Sequence, residues 1–201
     1  MSGYYIRVNG VGNAWPVPLG TEHPFYDPDF PEQLANVSFS LIKTSGTGPG
    51  ADNIEWEIII DAGHGIVQYL IRNGNRIPEA ALLSHAHLDH TLSLDWIIQS
   101  YFRAHNKQKK YPLYSSKIAW DFLSSGFPQL PPLTDHHALI PGEAMDIIGI
   151  PEIRLTPLPV YHGERAPGPM MLVFEIEIPG ARPVKILFSG DLLCPLLRRA
   201  D

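Results

Sequence analysis

Ala80-Ala81-Leu82-Leu83-Ser84-His85-Ala86-His87-Leu88-Asp89-His90 is the stretch on which the reading of this chain turns. Its first four residues form an apolar run, the length of a buried strand. Three imidazoles and one carboxylate then fall within six residues. Directly after them, Leu92, Leu94, Trp96, Ile97, Ile98, Tyr101 and Phe102 have the spacing of an amphipathic helix, predicted to run to about His105. The cluster therefore sits on a tight turn between a strand end and a helix start, where a rigid scaffold presents functional side chains. Neutral imidazole nitrogen and carboxylate oxygen are the usual protein ligands of Zn²⁺, and they also suit Mn²⁺ or Fe²⁺. His85 and His87 are two residues apart, so one ion can take both only if the backbone curls. Asp89 and His90 point elsewhere from the helix start and are candidates for a second ion. Four such donors in six residues after a buried strand are hard to reach by composition alone.

Working outward, Ile58-Ile59-Ile60-Asp61-Ala62-Gly63 is a second apolar strand closed by a carboxylate. Asp61 has two readings. It can accept a hydrogen bond from the far nitrogen of a ligating histidine, or it can cap the helix predicted over Ile66–Ile71. Val160-Tyr161-His162-Gly163 and Leu187-Phe188-Ser189-Gly190-Asp191 each end a strand on a potential ligand. His-x-His-x-Asp-His after an apolar strand, with these segments in this order, resembles the metallo-β-lactamase superfamily, and the resemblance runs from about Tyr4 to Asp191.

The resemblance implies an α+β chain folded as a four-layer αββα sandwich with its site at one edge of the β-layers. It implies two Zn²⁺ ions, with Mn²⁺ or Fe²⁺ as alternatives: His85, His87 and His162 on one, Asp89 and His90 on the second, and Asp191 bridging them. Asp61 supports a ligand from behind, and Asp89 and Asp191 are the residues expected to be catalytic. The chemistry implied is hydrolysis by a metal-activated water with no protein nucleophile. In agreement, there is no Gly-x-Ser-x-Gly elbow, and the lone Cys194 has no histidine near it in sequence. The family supplies a further His some tens of residues after the bridging Asp, whereas the sequence ends at Asp201. A fold truncated at its C-terminal end is therefore expected: either the chain is a fragment, or another chain completes the site, or the second site is weak. If the chain ends there, an open sheet edge is expected that invites a partner, a homo-oligomer included.

The chain holds 201 residues, enough for one domain with a sizeable core, and the reading takes residues 1–201 as a single domain. Its apolar share of 44% and charged share of 18% are those of a globular chain. A formal charge of −6 argues against a surface that grips nucleic acid throughout. One cysteine fits a reducing compartment. There is no signal peptide pattern and no apolar run near the ~20 residues that span a bilayer, so a cytoplasmic protein without membrane contact is expected.

The remaining elements are read from pattern. Strands are predicted over Tyr4–Val8, Val37–Lys43, Ile54–Asp61, Pro112–Ser115, Met145–Ile148, Ile153–Val160, Met170–Ile178 and Val184–Ser189. A helix is predicted over Lys117–Ser125, with Ile118, Phe122 and Leu123 inward. Gly10–Glu32 reads as a long ordered loop, with Trp15, His23, Phe25, Tyr26 and Phe30, that covers something. Its Gly10-Val11-Gly12-Asn13-Ala14 resembles the Gly-rich loop bordering the site in the phosphodiesterase-like branch. Thr44–Asn53 has glycines but no Gly-Lys-Ser/Thr, so it reads as a hairpin turn and not a phosphate loop. His64 reads as a solvent or packing histidine, Phe127–His137 as a Pro-rich connector with a surface pair His136-His137, and Asn106–Lys110 as a solvated helix end. Glu164 and Arg165 lie in the loop after His162, where a substrate could be met.

The branch containing tRNA 3′-processing endonucleases and cyclic-phosphate phosphodiesterases is the one these segments resemble most. A small phosphodiester is the expected substrate. tRNA is the weaker version, because no long arm is inserted between His90 and His162 and the net charge gives no help with a polyanion. A lactone or other ester is the alternative within the enzyme class, and a non-catalytic metal-binding protein is the alternative outside it.

Overall fold

The computed structural model describes residues 3–14, 19–20, 35–46, 48, 50 and 53–195. The aromatic loop expected over Gly10–Glu32 lies mostly outside the described residues, as do residues 196–201. The strands are β1 (Gly3–Gly10), β2 (Ser38–Thr44), β3 (Ile54–Ile60), β4 (Ala80–Leu82), β5 (Tyr111–Ser116), β6 (Thr134–Leu139), β7 (Met145–Ile147), β8 (Ile150–Tyr161), β9 (Met170–Ile176), β10 (Val184–Phe188) and β11 (Cys194–Pro195). The helices are α1 (Ile66–Arg72), α2 (Leu88–Thr91), α3 (Leu94–Ala104) and α4 (Lys117–Gly126). One sheet runs in the order β1-β2-β3-β4-β5-β6; the other runs β10-β9-β8-β11, with β7 also paired to β8. Among the described residues no helix is long and apolar enough to cross a membrane.

By its contacts the chain forms two compact units, Met1–Leu83, His87–Leu113 and Gln129–Asp135 in one, Ser84–Ala86, Tyr114–Pro128 and His136–Asp201 in the other. In the first, β1, β2 and β3 form an antiparallel meander and β4 joins β3 in parallel, as Ile58↔Ala80 and Ile60↔Leu82. Ile58, Ile59 and Ile60 are consecutive and all buried. Successive strand residues face opposite sides, so both faces of β3 are covered at this point, the condition under which a strand reads as a continuous apolar run. α1 carries the β3–β4 crossover and buries Ile66, Val67 and Leu70. A polar cluster interrupts this core. Glu57 on β3 is wholly buried, takes hydrogen bonds from the Arg7 guanidinium and from Ser40 Oγ at 2.6 Å, and burial pushes its carboxyl above the usual range.

In the second unit β8, β9 and β10 form an antiparallel meander with Leu155↔Phe174 and Ile186↔Phe174 across it. The 12-residue β8 is the long member, and β7 turns back on it. Ser116 opens α4 as its N-cap, accepting from the Ala119 N–H at 3.0 Å.

Four readings need correcting. The helix after the His cluster is two helices, α2 and α3, separated at Leu92-Ser93. Its apolar set is wider than its inner face: Leu94, Ile97 and Ile98 are buried, but Leu92 and Trp96 are exposed. On α4, Ala119 and Leu123 face inward one turn apart, leaving Ile118 and Phe122 outward. The Pro-rich connector ends early, at a 3-10 turn over Pro131–Leu133, and Thr134–Leu139 joins the first sheet as β6. His136 and His137 thus stand on a strand and point to opposite faces. His136 stacks on Trp120 (centroids 4.7 Å, 10° between planes) with Nε2 3.0 Å from Ser115 Oγ, and His137 stacks on Tyr114.

Candidate metal centre

Candidate ligand residues stand on strand-end turns in each unit, described in turn. In the first unit, Asp61 follows β3 with φ 58°, a left-handed conformation that Asp adopts more readily than most residues. Its backbone is tied on both sides: its N–H donates to the Leu82 carbonyl (2.9 Å), and its own carbonyl accepts from Ser38 Oγ (2.7 Å). The next residues are laced to the histidine turn. Ala62 N–H donates to His90 O (2.7 Å), Ser93 N–H donates to Ala62 O (2.8 Å), and Ser93 Oγ donates to Gly63 O (2.5 Å). Gly63 lies so close to the Asp89 carbonyl that a Cβ there would stand 1.7 Å from the oxygen. Only glycine permits this approach.

This lacing places the side chains. His87 precedes α2 in an extended conformation, and its carbonyl accepts from His90 N–H (3.0 Å) and Thr91 Oγ1 (2.9 Å). Asp89, partly exposed, lies in the first turn of α2. His90 is buried, and its Nδ1 is 2.8 Å from Asp61 Oδ2. An ionised carboxylate can only accept, so Nδ1–H is the donor in this bond. The Nε2 of the same ring is 3.4 Å from Asp89 Oδ2. Asp61, expected to support a histidine, is thus hydrogen-bonded to His90. The capping alternative fails, because the N-cap of α1 is Gly65 and no side chain caps it. His64 is exposed, held through its backbone by Asn36.

In the second unit, Ser84 and Ala86 fix the turn around His85. Ser84 O accepts from Met170 N–H (2.8 Å) and Ala86 N–H donates to Pro167 O (3.3 Å). His85 is fully buried and shares a hydrogen bond with Ser84 Oγ through Nδ1 (3.1 Å). His162, just after β8, meets the His85 ring edge-to-face at 4.9 Å and 76°. Asp191, three residues after β10, has Oδ2 3.6 Å from His162 Nε2. Sequence reasoning missed three residues that shape these turns: Ser84, Gly63, and Gly190, whose φ of 57° lies against Ser84. The glycines were legible only as companions of Asp61 and Asp191. Glu164 and Arg165 are exposed.

Among the described residues of the second unit, His85 brings a ligand atom within 4.8 Å of one on His162 and of one on Asp191. His87, Asp89 and His90 lie in the first unit. His136 and His137 belong to no such group among the described residues.

Comparison with known proteins adds the following. The model of a family described as a beta-lactamase superfamily domain matches residues 57–193, more than half of the chain. No curated protein matches it significantly. Among solved structures, a diphosphatase from the PhnP family is similar with a TM-score of 0.64 and 21% identity, over 86% of this chain and 62% of that one. The metallo-beta-lactamase fold protein YhfI from Bacillus subtilis is similar at 0.58 and 15%, over 94% and 62%. The short form of human tRNase Z is similar at 0.56 and 14%, over 98% and 71%. The chain thus spans 62% of the length of the first two.

Proposed function

Because this chain belongs to the beta-lactamase superfamily and has its fold, we infer that it is a metal-dependent hydrolase whose substrate is a small phosphodiester. His85, His87 and His162 would hold one divalent ion, with Asp89 and His90 toward a second and Asp191 serving both. Imidazole and carboxylate donors suit Zn²⁺.

The observation that carries this reading is the closeness of imidazole and carboxylate ligand atoms. His90 Nδ1 is hydrogen-bonded to Asp61 Oδ2, and its Nε2 lies 3.4 Å from Asp89 Oδ2. His162 Nε2 and Asp191 Oδ2 stand 3.6 Å apart. Imidazole nitrogen and carboxylate oxygen this close together form donor sets that a divalent cation can share.

When bound, divalent ions here would act as Lewis acids, activating water and offsetting phosphoryl charge. The chain's own residues do the positioning. Asp61 orients the His90 ring, Ser84 orients the His85 ring, and Gly63 lets the Asp89 backbone close onto the strand end. Asp89 and Asp191 keep partly exposed carboxylates able to accept a proton. A phosphodiester is put ahead of a carbonyl substrate because of the motif resemblance, and because a diphosphatase and tRNase Z share the fold.

The test is turnover of bis(p-nitrophenyl) phosphate, with a lactone and p-nitrophenyl acetate as comparators. Hydrolysis of the diester should be lost in His87→Ala and Asp89→Ala while far-UV circular dichroism is unchanged. Wild-type rates in either variant would remove the site assignment. Turnover of the lactone or acetate alone would move the substrate to esters. Bound metal without turnover of any of the three would favour a binding protein.

A further inference from the structure

A cavity of about 260 Å³ lies in the first unit, lined by α1, α3 and the loop that leads into β4. That is near the small end of ligand cavities, roughly 300–1,000 Å³. Its walls are mostly apolar, with Ile71, Ile77, Pro78 and Trp96 among them, and Ser100 and Arg76 add polar groups. Ile71 and Trp96 are 50% and 59% exposed. Large apolar side chains left half in water around a concavity mark a binding surface more often than single exposed residues do.

Arg76 decides the chemistry. One of its terminal nitrogens, Nη2, donates to Glu79 Oε1. Its Nε is buried and meets no acceptor among the described residues. The other Glu79 oxygen accepts from the Glu57 N–H at 2.6 Å, so Glu79 is itself fixed to β3 and holds the guanidinium in place. A guanidinium has five N–H donors in a rigid fork, and Nη2 is the one nitrogen engaged among the described residues. The side chain is 27% exposed, so the cation is half-sheltered at an apolar wall with donor capacity to spare. Arg72, in the last turn of α1, adds a second positive charge nearby in sequence. An apolar body joined to one carboxylate matches this combination. A neutral apolar molecule would leave the donors that Glu79 does not engage unused, and a phosphate without an apolar body would leave the walls wet.

We propose that the cavity between α1 and α3 is a second ligand site, which takes a small amphipathic carboxylate with its apolar body on Trp96 and Ile71 and its carboxylate on Arg76. The site is independent of the metal centre and of the hydrolase reading.

The test is titration of the chain with 4-phenylbutyrate and with the neutral 4-phenylbutanol, followed by calorimetry and Trp fluorescence, with and without chelator. Saturable binding of the acid, unchanged by chelator and at least about tenfold tighter than that of the alcohol, is the expected result for one charge-assisted contact. Arg76→Gln should bring the acid down to the level of the alcohol. Ser100→Leu, which fills the cavity and leaves the Arg76–Glu79 pair intact, should abolish binding of both, and it carries the test if Arg76→Gln does not fold. Equal affinity for acid and alcohol, no saturable binding, insensitivity to Ser100→Leu, or loss of binding on chelation would each overturn the proposal.

Discussion

Asp61→Asn isolates the contribution of one buried carboxylate to the metal centre. Asn keeps the shape of Asp and tolerates the left-handed conformation, here φ 58°, so the backbone bonds to Leu82 and Ser38 should survive. The charge opposite His90 Nδ1, 2.8 Å away, is lost. With a neutral amide beside it, His90 can turn its N–H to Nε2 and withdraw the lone pair a metal needs. Losing such a supporting contact typically lowers metal affinity roughly 10–100-fold. Take a metal concentration one hundred times the wild-type Kd. Binding then stabilises the wild type by about 2.7 kcal/mol, and a thirtyfold loss of affinity reduces this to about 0.9 kcal/mol. The difference, about 1.8 kcal/mol, corresponds to a loss of roughly 4–7 °C in metal-dependent Tm for a chain of this size. The assay is thermal unfolding with and without Zn²⁺, alongside competition against a fluorescent chelator. Equal metal-induced shifts in wild type and Asp61→Asn, with Kd values within threefold of each other, would refute the reasoning.

Three further outcomes are expected. Gly63→Ala places a methyl group 1.7 Å from the Asp89 carbonyl, so it should weaken metal binding by tenfold or more although no ligand is changed; wild-type affinity by chelator competition would contradict the close approach. Arg7→Leu leaves Glu57 buried without its cation and should cost about 3 kcal/mol at neutral pH in urea unfolding. Burial already raises Glu57, so its contribution is complete below its ordinary 4.5 and is lost as pH climbs through the raised value; the Arg7→Leu deficit should therefore shrink toward pH 4, and a deficit that grows there would be the wrong sign. His136 is lowered, chiefly by burial and further by neighbouring His137 and Lys117, against raising effects from Ser115 and Asp121. The fold therefore favours its neutral form, and stability should fall as pH drops from 6.5 through the lowered value. His136→Phe, which can still stack on Trp120, should lose that acid-side decline, whereas an unchanged profile would exclude His136 as its source.

Much of the site was legible because its residues are chemically unusual for their places. An apolar tetrapeptide followed by His85, His87, Asp89 and His90 marks a strand-turn-helix whatever the tertiary context, and β4 and α2 flank that turn. The Asp61 hydrogen bond could be expected because a carboxylate closes a strand of isoleucines. Residues that act by absence or by backbone were not legible. Gly63 matters because a Cβ there would stand 1.7 Å from the carbonyl of a residue 26 positions away in sequence, and no local pattern encodes that closeness. Asp61 failed as a cap because Gly65, with φ 83°, begins α1 instead. The helix faces were misjudged for one reason: Leu92, Trp96, Ile118 and Phe122 extend the apolar set beyond what each helix buries, and periodicity reports hydrophobicity, not cover. The strand β6 was hidden by its prolines. Pro131 and Pro132 end in a 3-10 turn, and pairing in the sheet then extends the residues after it.

Metal content per chain, measured by elemental analysis after purification without chelators, is the most direct test of the central claim. A metal-dependent hydrolase with this donor set should retain at least one divalent ion per chain and approach two when Zn²⁺ is supplied, and His85→Ala, which removes the fully buried candidate ligand close to His162 and Asp191, should lose most of it. A chain free of divalent metal under both conditions, or an ion content that His85→Ala leaves unchanged, would contradict it.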